Sequence, residues 1–382
     1  MAAVHYGQAC PMSPLWYGDA ISRPFHLMEY GPEKQAALDD FIARRITAED
    51  VLGHNTLAPD WTNFAPAERL AINHPWISRY ASSALRFFDH GIKMCNTIST
   101  QDHEIYGDDR SPMLFRIGSG NAGYTGIFKV LCERYIHLHN DIFSIGMVRN
   151  MSRHSQVALL ADVIQVALTQ EPHNEDMAIG EGWCERVCPV FNDHSILCGP
   201  ASNPAGLEAG LPMEKALQTM VLRGCEQVSN RLLLYPNGNG SSSFFKKHQL
   251  WSSAGIDTSN AKWTKGTGLS PHAALQKAAG RGVYMMPDRA TYLMAKDGGL
   301  IPTMKVYVEG GQDLINPCSA LVNKLVDTPA SRAAAIFARW LGTTEAQEII
   351  RCYGKDRPYA KPLYTVATQG EFEDAERLAG KL

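Results

Sequence analysis

The sequence has no long apolar run. No segment reaches the roughly 18 uninterrupted apolar residues that a membrane-spanning helix requires, so insertion into a bilayer is not expected. It has no excess of positive charge either. With 36 Lys and Arg against 39 Asp and Glu the formal net charge is −3. No basic stretch offers the concentrated positive face that a phosphate backbone demands, which argues against nucleic acid as a main partner. The first 17 residues contain neither a basic stretch nor a continuous apolar one, being interrupted by His5, Gln8, Cys10, Pro11 and Pro14. No secretory leader is therefore expected, and a cytoplasmic protein is. The nine cysteines are scattered and odd in number; Cys184 and Cys188 stand four apart without a second Cys or His pair at zinc-like spacing. That pattern suits reduced thiols rather than a disulfide framework, and neither a metal nor another cofactor is expected. Internal repeats and low-complexity tracts are absent, and no Gly-x-Ser-x-Gly elbow surrounds a serine.

What is present suits a folded protein of more than one core. A chain of 382 residues exceeds a single compact domain, and 45% hydrophobic with 20% charged residues is ordinary globular composition. Residues 1–30 are rich in Pro, Gly, Tyr and Met without periodicity. Helical spacing follows at Ala36, Leu38, Phe41 and Ile42 and again over 66–93, and 97–111 reads as a polar junction. Beyond it the style becomes α/β. A strand over 113–117 leads into the loop Gly118-Ser119-Gly120-Asn121-Ala122-Gly123, then a helix with Ile127, Val130, Leu131 and Tyr135 on one face. Strands follow over 143–148 and 163–168 with a short helix between, and the alternation predicts a mostly parallel sheet. Further strands are expected at 195–198, 231–234, 283–286 and 305–308, and helices at 213–222, 243–253, 273–279, 330–341 and 346–352.

Gly118-x-Gly120-x-x-Gly123 between strand and helix has the form of a dinucleotide fingerprint. That reading also requires an acidic residue at the end of the next strand. The sequence offers Arg149-Asn150 there, and the nearest acid, Asp141, precedes the strand. The plainer reading is a flexible turn whose backbone N–H groups line a cleft, with a nucleotide-dependent oxidoreductase as the distant alternative.

Several islands then fall in one order. They include the loop at 118–126, Glu171-Pro172, Glu181-Gly182-Trp183 and Phe191-Asn192-Asp193-His194. Gly199-Pro200-x-x-Asn203-Pro204-Ala205-Gly206 and Leu250-Trp251-x-x-Ala254-Gly255 follow. Gly266-Thr267-Gly268, Tyr284-x-x-x-Asp288-Arg289, Asn316-Pro317 and Pro362-Leu363-x-Thr365 complete the set. From about 113 to 365 the chain thus resembles the tungstate/molybdate-binding proteins of ABC transporters. The resemblance implies an α/β, two-lobed, periplasmic-binding-protein-like type 2 fold with a small ligand in the interlobe cleft. A mainly helical N-terminal extension over 1–110 would stand in front of it, with lobe 1 formed by 111–199 and 314–382 and lobe 2 by 200–313. On the same carry-over the ligand contacts are Ser119, Gly120 and Asn121 from the first lobe. From the second they are Asn237, Ser241, Ser242 and Ser243, with Thr267 nearby. The family's binding loop carries an Arg where this chain has Asn237, and usually a Thr where it has Pro287.

Two functions remain open on these residues. One is an intracellular small-molecule binding protein descended from an oxyanion receptor. The other is a cofactor-independent enzyme, an isomerase, lyase, cyclase or hydrolase of a biosynthetic pathway. On the enzyme reading the groups to test are His272, Asp288, Glu171 and Tyr284, which titrate or hydrogen-bond near the expected cleft. The plainer reading is structural for two of them, a helix-start His and an Asp paired with Arg289, and Glu171 reads equally as part of a solvated loop. The partner in either case is a small molecule, and the N-terminal extension offers a cap or a homo-oligomer interface.

Overall fold

The computed structural model describes residues 99, 101–108, 110–226, 233–235, 242–257, 264–266, 271–358 and 361–367. The expected N-terminal helices, and the contacts assigned to Asn237, Ser241 and Thr267, lie outside the described residues. Those residues form two compact units. The first takes the chain up to Val190, Cys318–Gln347 and Ala367; the second takes Phe191–Pro317 and Glu348–Val366.

The first unit is built on strands β1 (Glu104–Tyr106), β2 (Met113–Ser119), β3 (Ser144–Arg149) and β4 (Val166–Thr169). The long strands β5 (Cys184–His194) and β10 (Ile315–Asn323) run from one unit into the other. The sheet order is β1-β3-β2-β4-β10-β5-β11, with β11 spanning Thr365–Val366. β2 pairs in parallel with both β3 and β4, as the strand–helix alternation predicts. β1, β10 and β11 pair antiparallel with β3, β4 and β5, so the whole sheet is mixed rather than mostly parallel.

Helix α1 (Ile127–Leu138) joins β2 to β3. Its buried face carries Ile127, Phe128, Leu131, Cys132 and Tyr135, while Val130 is exposed and lies off the expected stripe. Tyr135 packs edge-on against Phe337 of α8 (Pro329–Trp340), and Phe337 in turn meets Phe115 of β2. Helix α2 (Ser152–Leu160) joins β3 to β4 over a core that includes Val148, Ile164, Ala167 and Trp183. Gly118 belongs to this side, since a Cβ there would stand 2.3 Å from Ile164 Cδ1. Helices α3 (Pro172–Gly180) and α9 (Thr344–Cys352) complete the elements that touch the first unit.

The second unit holds β6 (Leu197–Pro200) paired with β9 (Met304–Val308), and β7 (Leu233–Tyr235) parallel to β8 (Thr264–Gly266). Around them stand α4 (Met213–Glu226), α5 (Ser242–Ser253), α6 (Pro271–Arg281) and α7 (Arg289–Asp297). Residues 283–286 bridge β6 only through Met285 and Cys198, in place of the expected strand. Tyr284 is fully buried there. Its hydroxyl donates to Asn203 Oδ1 at 2.8 Å and accepts from Ala205 N–H at 3.0 Å, which fixes the turn that follows β6. Gly199 is required beneath it, because a Cβ would stand 2.2 Å from the ring. Tyr284→Phe leaves both partners in the turn without the hydroxyl. It is expected to lower stability by about 1–3 kcal/mol in chemical denaturation.

Candidate functional site

In an open α/β sheet, ligands bind outside the carboxyl ends of the strands, where successive connections leave on opposite faces. Here β2 lies between β3 and β4, with α1 and α2 on opposite sides, so that point falls at the ends of these three strands. β2 ends at Ser119, which is 2% exposed and beside Arg149 and Leu168 in register. Gly120 follows, and a short 3-10 helix over Asn121–Thr125 closes on Gly126, whose φ of 84° favours glycine. A Cβ on Gly120 would stand 3.3 Å from the carbonyl oxygen of Asn150, so the loop lies close against the start of α2. Asn150 is itself fixed: its Nδ2 donates to Ser99 O at 3.0 Å and its Oδ1 accepts from Ser99 N–H at 2.8 Å. Three of the residues expected to meet a ligand, Ser119, Gly120 and Asn121, thus form one loop at the switch point.

The sequence reading missed the element facing that loop. All nine residues of α2 are buried, and its first five are polar: Ser152, Arg153, His154, Ser155 and Gln156. Buried polar side chains are the uncommon and informative case, and Arg in particular is seldom buried unless it is paired. Arg153 donates through Nε to Glu171 Oε1 at 2.6 Å and through Nη2 to the same oxygen; the two residues are 2% and 4% exposed. Glu171 directly precedes α3, two residues beyond the end of β4. Far from being a solvated loop residue, it is buried in its pair with Arg153. Its backbone N–H donates to Glu175 Oε1 at 3.0 Å, which also accepts from Thr169 Oγ1 at 2.7 Å. Burial raises the pKa of Glu175, and Arg186, at 3.0 Å, opposes that rise and helps hold it in the turn. A buried cation and a buried carboxylate thus form one ion pair just beyond the ends of the two strands that neighbour β2.

The second unit holds a different cluster. Ser242 and Ser243 are the first two residues of α5. One and a half turns on, Lys247 is 3% exposed, and burial brings its ammonium down to about 7, opposed by the nearby charges of Asp288 and Cys198. Asp288 caps α7, its Oδ1 accepting from Thr291 N–H at 2.7 Å and its Oδ2 from Thr291 Oγ1 at 2.8 Å. Arg289, expected as its ion-pair partner, instead donates to Leu363 O at 3.3 Å and feels the charges of Asp193 and Glu309. His272, near the start of α6, has its pKa lowered by burial and partly restored by Asp288. His272, Asp288 and Lys247 are therefore within electrostatic reach of one another, whereas Tyr284 is engaged in its turn. Helical spacing is the signal that could have revealed Lys247, since it lies three and four residues before the buried Leu250 and Trp251.

No protein-family model and no curated protein matches this sequence. Solved structures do. A periplasmic protein described as a candidate metal binder is 26% identical, with a TM-score of 0.62, over 70% of this chain and 99% of that one. The tungstate-binding protein TupA from Desulfovibrio alaskensis G20 is 20% identical, with a TM-score of 0.54, over 68% of this chain and 100% of that one. The tungstate ABC transporter structure from Geobacter sulfurreducens gives 20% and 0.54 over 63% and 98%. The fold is accordingly the α/β fold of two-lobed periplasmic binding proteins. The expectation of a cytoplasmic protein is contradicted by the first of these similarities, which is to a periplasmic protein.

Proposed function

We propose that this chain is a periplasmic binding protein for a small oxyanion, diverged from the tungstate/molybdate-binding proteins that its sequence islands resemble. The observation that carries the reading is the buried polar first turn of α2, with Arg153, against the Ser119-Gly120-Asn121 loop. Backbone N–H groups at helix starts, hydroxyls and a guanidinium form a donor set suited to an anion. Arg153 also supplies a cation in a chain whose second-unit loop has Asn237 where the family has Arg. The similarity to a periplasmic protein supports the compartment.

The test is a thermal-shift titration of the full chain with tungstate, molybdate, sulfate and phosphate. At least one is expected to give a saturable rise. A ligand at a hundred times its Kd adds about 2.7 kcal/mol, which is readily seen. No shift with any of the four would reject the reading.

A second reading, an enzyme, is favoured by one observation in the second unit. Lys247, brought to about 7 beside Asp288 and His272, has the near-neutral pKa that suits proton transfer. A binding protein releases its ligand chemically unchanged after prolonged incubation, and an enzyme does not.

A further inference from the structure

Ser99, His103 and Glu104, at the entrance to β1, are stitched to the end of β3 and through it to the Ser119-Gly120-Asn121 loop. Ser99 is held at both its N–H and its carbonyl by the Asn150 amide. His103 donates its backbone N–H to Met147 O at 2.8 Å, and its ring Nδ1 accepts the backbone N–H of Arg149 at 3.1 Å. Glu104 pairs with the Arg149 guanidinium, which lies 4.1 Å over the ring of Tyr124 in the 3-10 helix that continues the loop. Arg149 and Asn150 are the seat of that loop. Arg149 is in register with Ser119, and Asn150 donates its N–H to Ser119 O at 3.0 Å. We infer that His103 is a positioning residue for the anion loop, and that its protonation unties the loop's seat and weakens anion binding as the pH falls. The inference rests on the oxyanion reading above.

A backbone N–H can only donate, so Nδ1 of His103 carries no proton and the neutral ring keeps its hydrogen on Nε2. An imidazolium carries hydrogen on both nitrogens. Protonation therefore removes the acceptor of the Arg149 N–H and sets a second cation beside the Arg149 guanidinium. Burial and Arg149 lower the pKa of His103, and the Gln101 carbonyl and Asp102 oppose them without reversing the shift. Each acid near the ring already has a cation: Asp102 binds Arg116 of β2 at 2.8 Å, and Glu104 binds Arg149. With the folded value below the ordinary 6.5, the tie is intact above 6.5 and is lost as pH falls from there through the lowered value. By linkage, an anion that needs the tied loop expels that proton when it binds. A cation added near the site would by itself tighten anion binding in acid, so the direction of the effect separates the two.

The test is calorimetric titration of the full chain with tungstate, molybdate, sulfate and phosphate. In the wild-type protein, affinity for the anion that binds is expected to fall at least about fivefold from about pH 7.5 to about pH 5, the worth of one lost hydrogen bond. His103→Asn offers an amide oxygen as acceptor and does not titrate, and its affinity is expected to fall far less. Comparing the two proteins at one pH cancels the ligand's own protonation and that of the other histidines. His103→Leu, which offers no acceptor, is expected to bind weakly at both pH values. If these variants do not fold, proton release on binding by the wild-type protein near pH 6, read in two buffers of different ionisation enthalpy, is the measurement. Wild-type affinity that holds or rises in acid, an equal fall in His103→Asn, or no proton release would overturn the inference while leaving the oxyanion reading intact. No binding of any of the four anions would overturn both.

Discussion

Arg153→Met or Glu171→Met alone is expected to destabilise the protein by about 3–5 kcal/mol, because each strands a buried charge whose partner is gone. Either loss is a large part of the 5–15 kcal/mol that holds a typical domain together. Removing both charges at once, as Arg153→Met with Glu171→Met, is expected to be close to neutral. The two side chains are similar in volume to their replacements, and no charge is left buried. Equilibrium denaturation of the two singles and the double gives the coupling directly. Near-additive single effects would mean that the contact between these two residues does not carry the interaction. The expectation makes the double variant useful beyond stability, since it should be folded yet lack the cation proposed to hold the ligand.

Lys247→Met is expected to stabilise the protein, by about 1–4 kcal/mol at neutral pH. A buried ammonium is costly, and each unit of pKa depression corresponds to about 1.4 kcal/mol. The sign with pH follows from linkage. Unfolded, the lysine titrates near 10.5; folded, burial brings it to about 7. Between these values the unfolded chain holds the extra proton, so wild-type stability should rise as pH is raised from about 7 toward 10.5. Below that window both states are protonated and the folded protein bears the full cost. The methionine variant should lack this rise. A lysine that loses stability on replacement, with no change in pH dependence, would instead be charged and well compensated in the folded state. That outcome would also remove the near-neutral amine on which the enzyme reading rests.

The fold class could be read from the sequence because its islands are local and the fold brings them together. Phe191-Asn192 pairs with Thr365-Val366, and His194 Nε2 lies 2.8 Å from Thr365 Oγ1. Tyr284 reaches back to Asn203 and Ala205 of another island. The β2–α1–β3–α2–β4 run was equally plain, since short apolar strands alternate with helical spacing there. The long strands β5 and β10 were not. Their sequences, CERVCPVFNDH and INPCSALVN, contain proline, asparagine and charge, and neither alternates cleanly. Helix α7 carries a readable signal, an Asp at the N-cap and a Thr three residues on, but the adjacent Asp288-Arg289 reads as an ion pair as well.

The first-unit site was half legible. The glycines and serine at 118–121 announce a tight turn after β2, and the chain does turn there into a short 3-10 helix. Met151-Ser152-Arg153-His154-Ser155-Gln156 reads as an exposed polar stretch, and nothing local says that the sheet edge will bury it. Glu171 and Arg153 are 18 residues apart with a strand between them. Only the parallel β2–β3 and β2–β4 pairings bring them to the same edge, so their pairing is a tertiary fact.

The measurement that tests the central claim most directly is calorimetric titration of the wild-type chain and of the Arg153→Met, Glu171→Met double variant with the oxyanion giving the largest thermal shift. A single saturable site per chain in the wild-type protein, absent from a double variant that remains folded, is the predicted result. Undiminished binding by the double variant would place the anion elsewhere, and no saturable binding by the wild-type chain would contradict the account altogether.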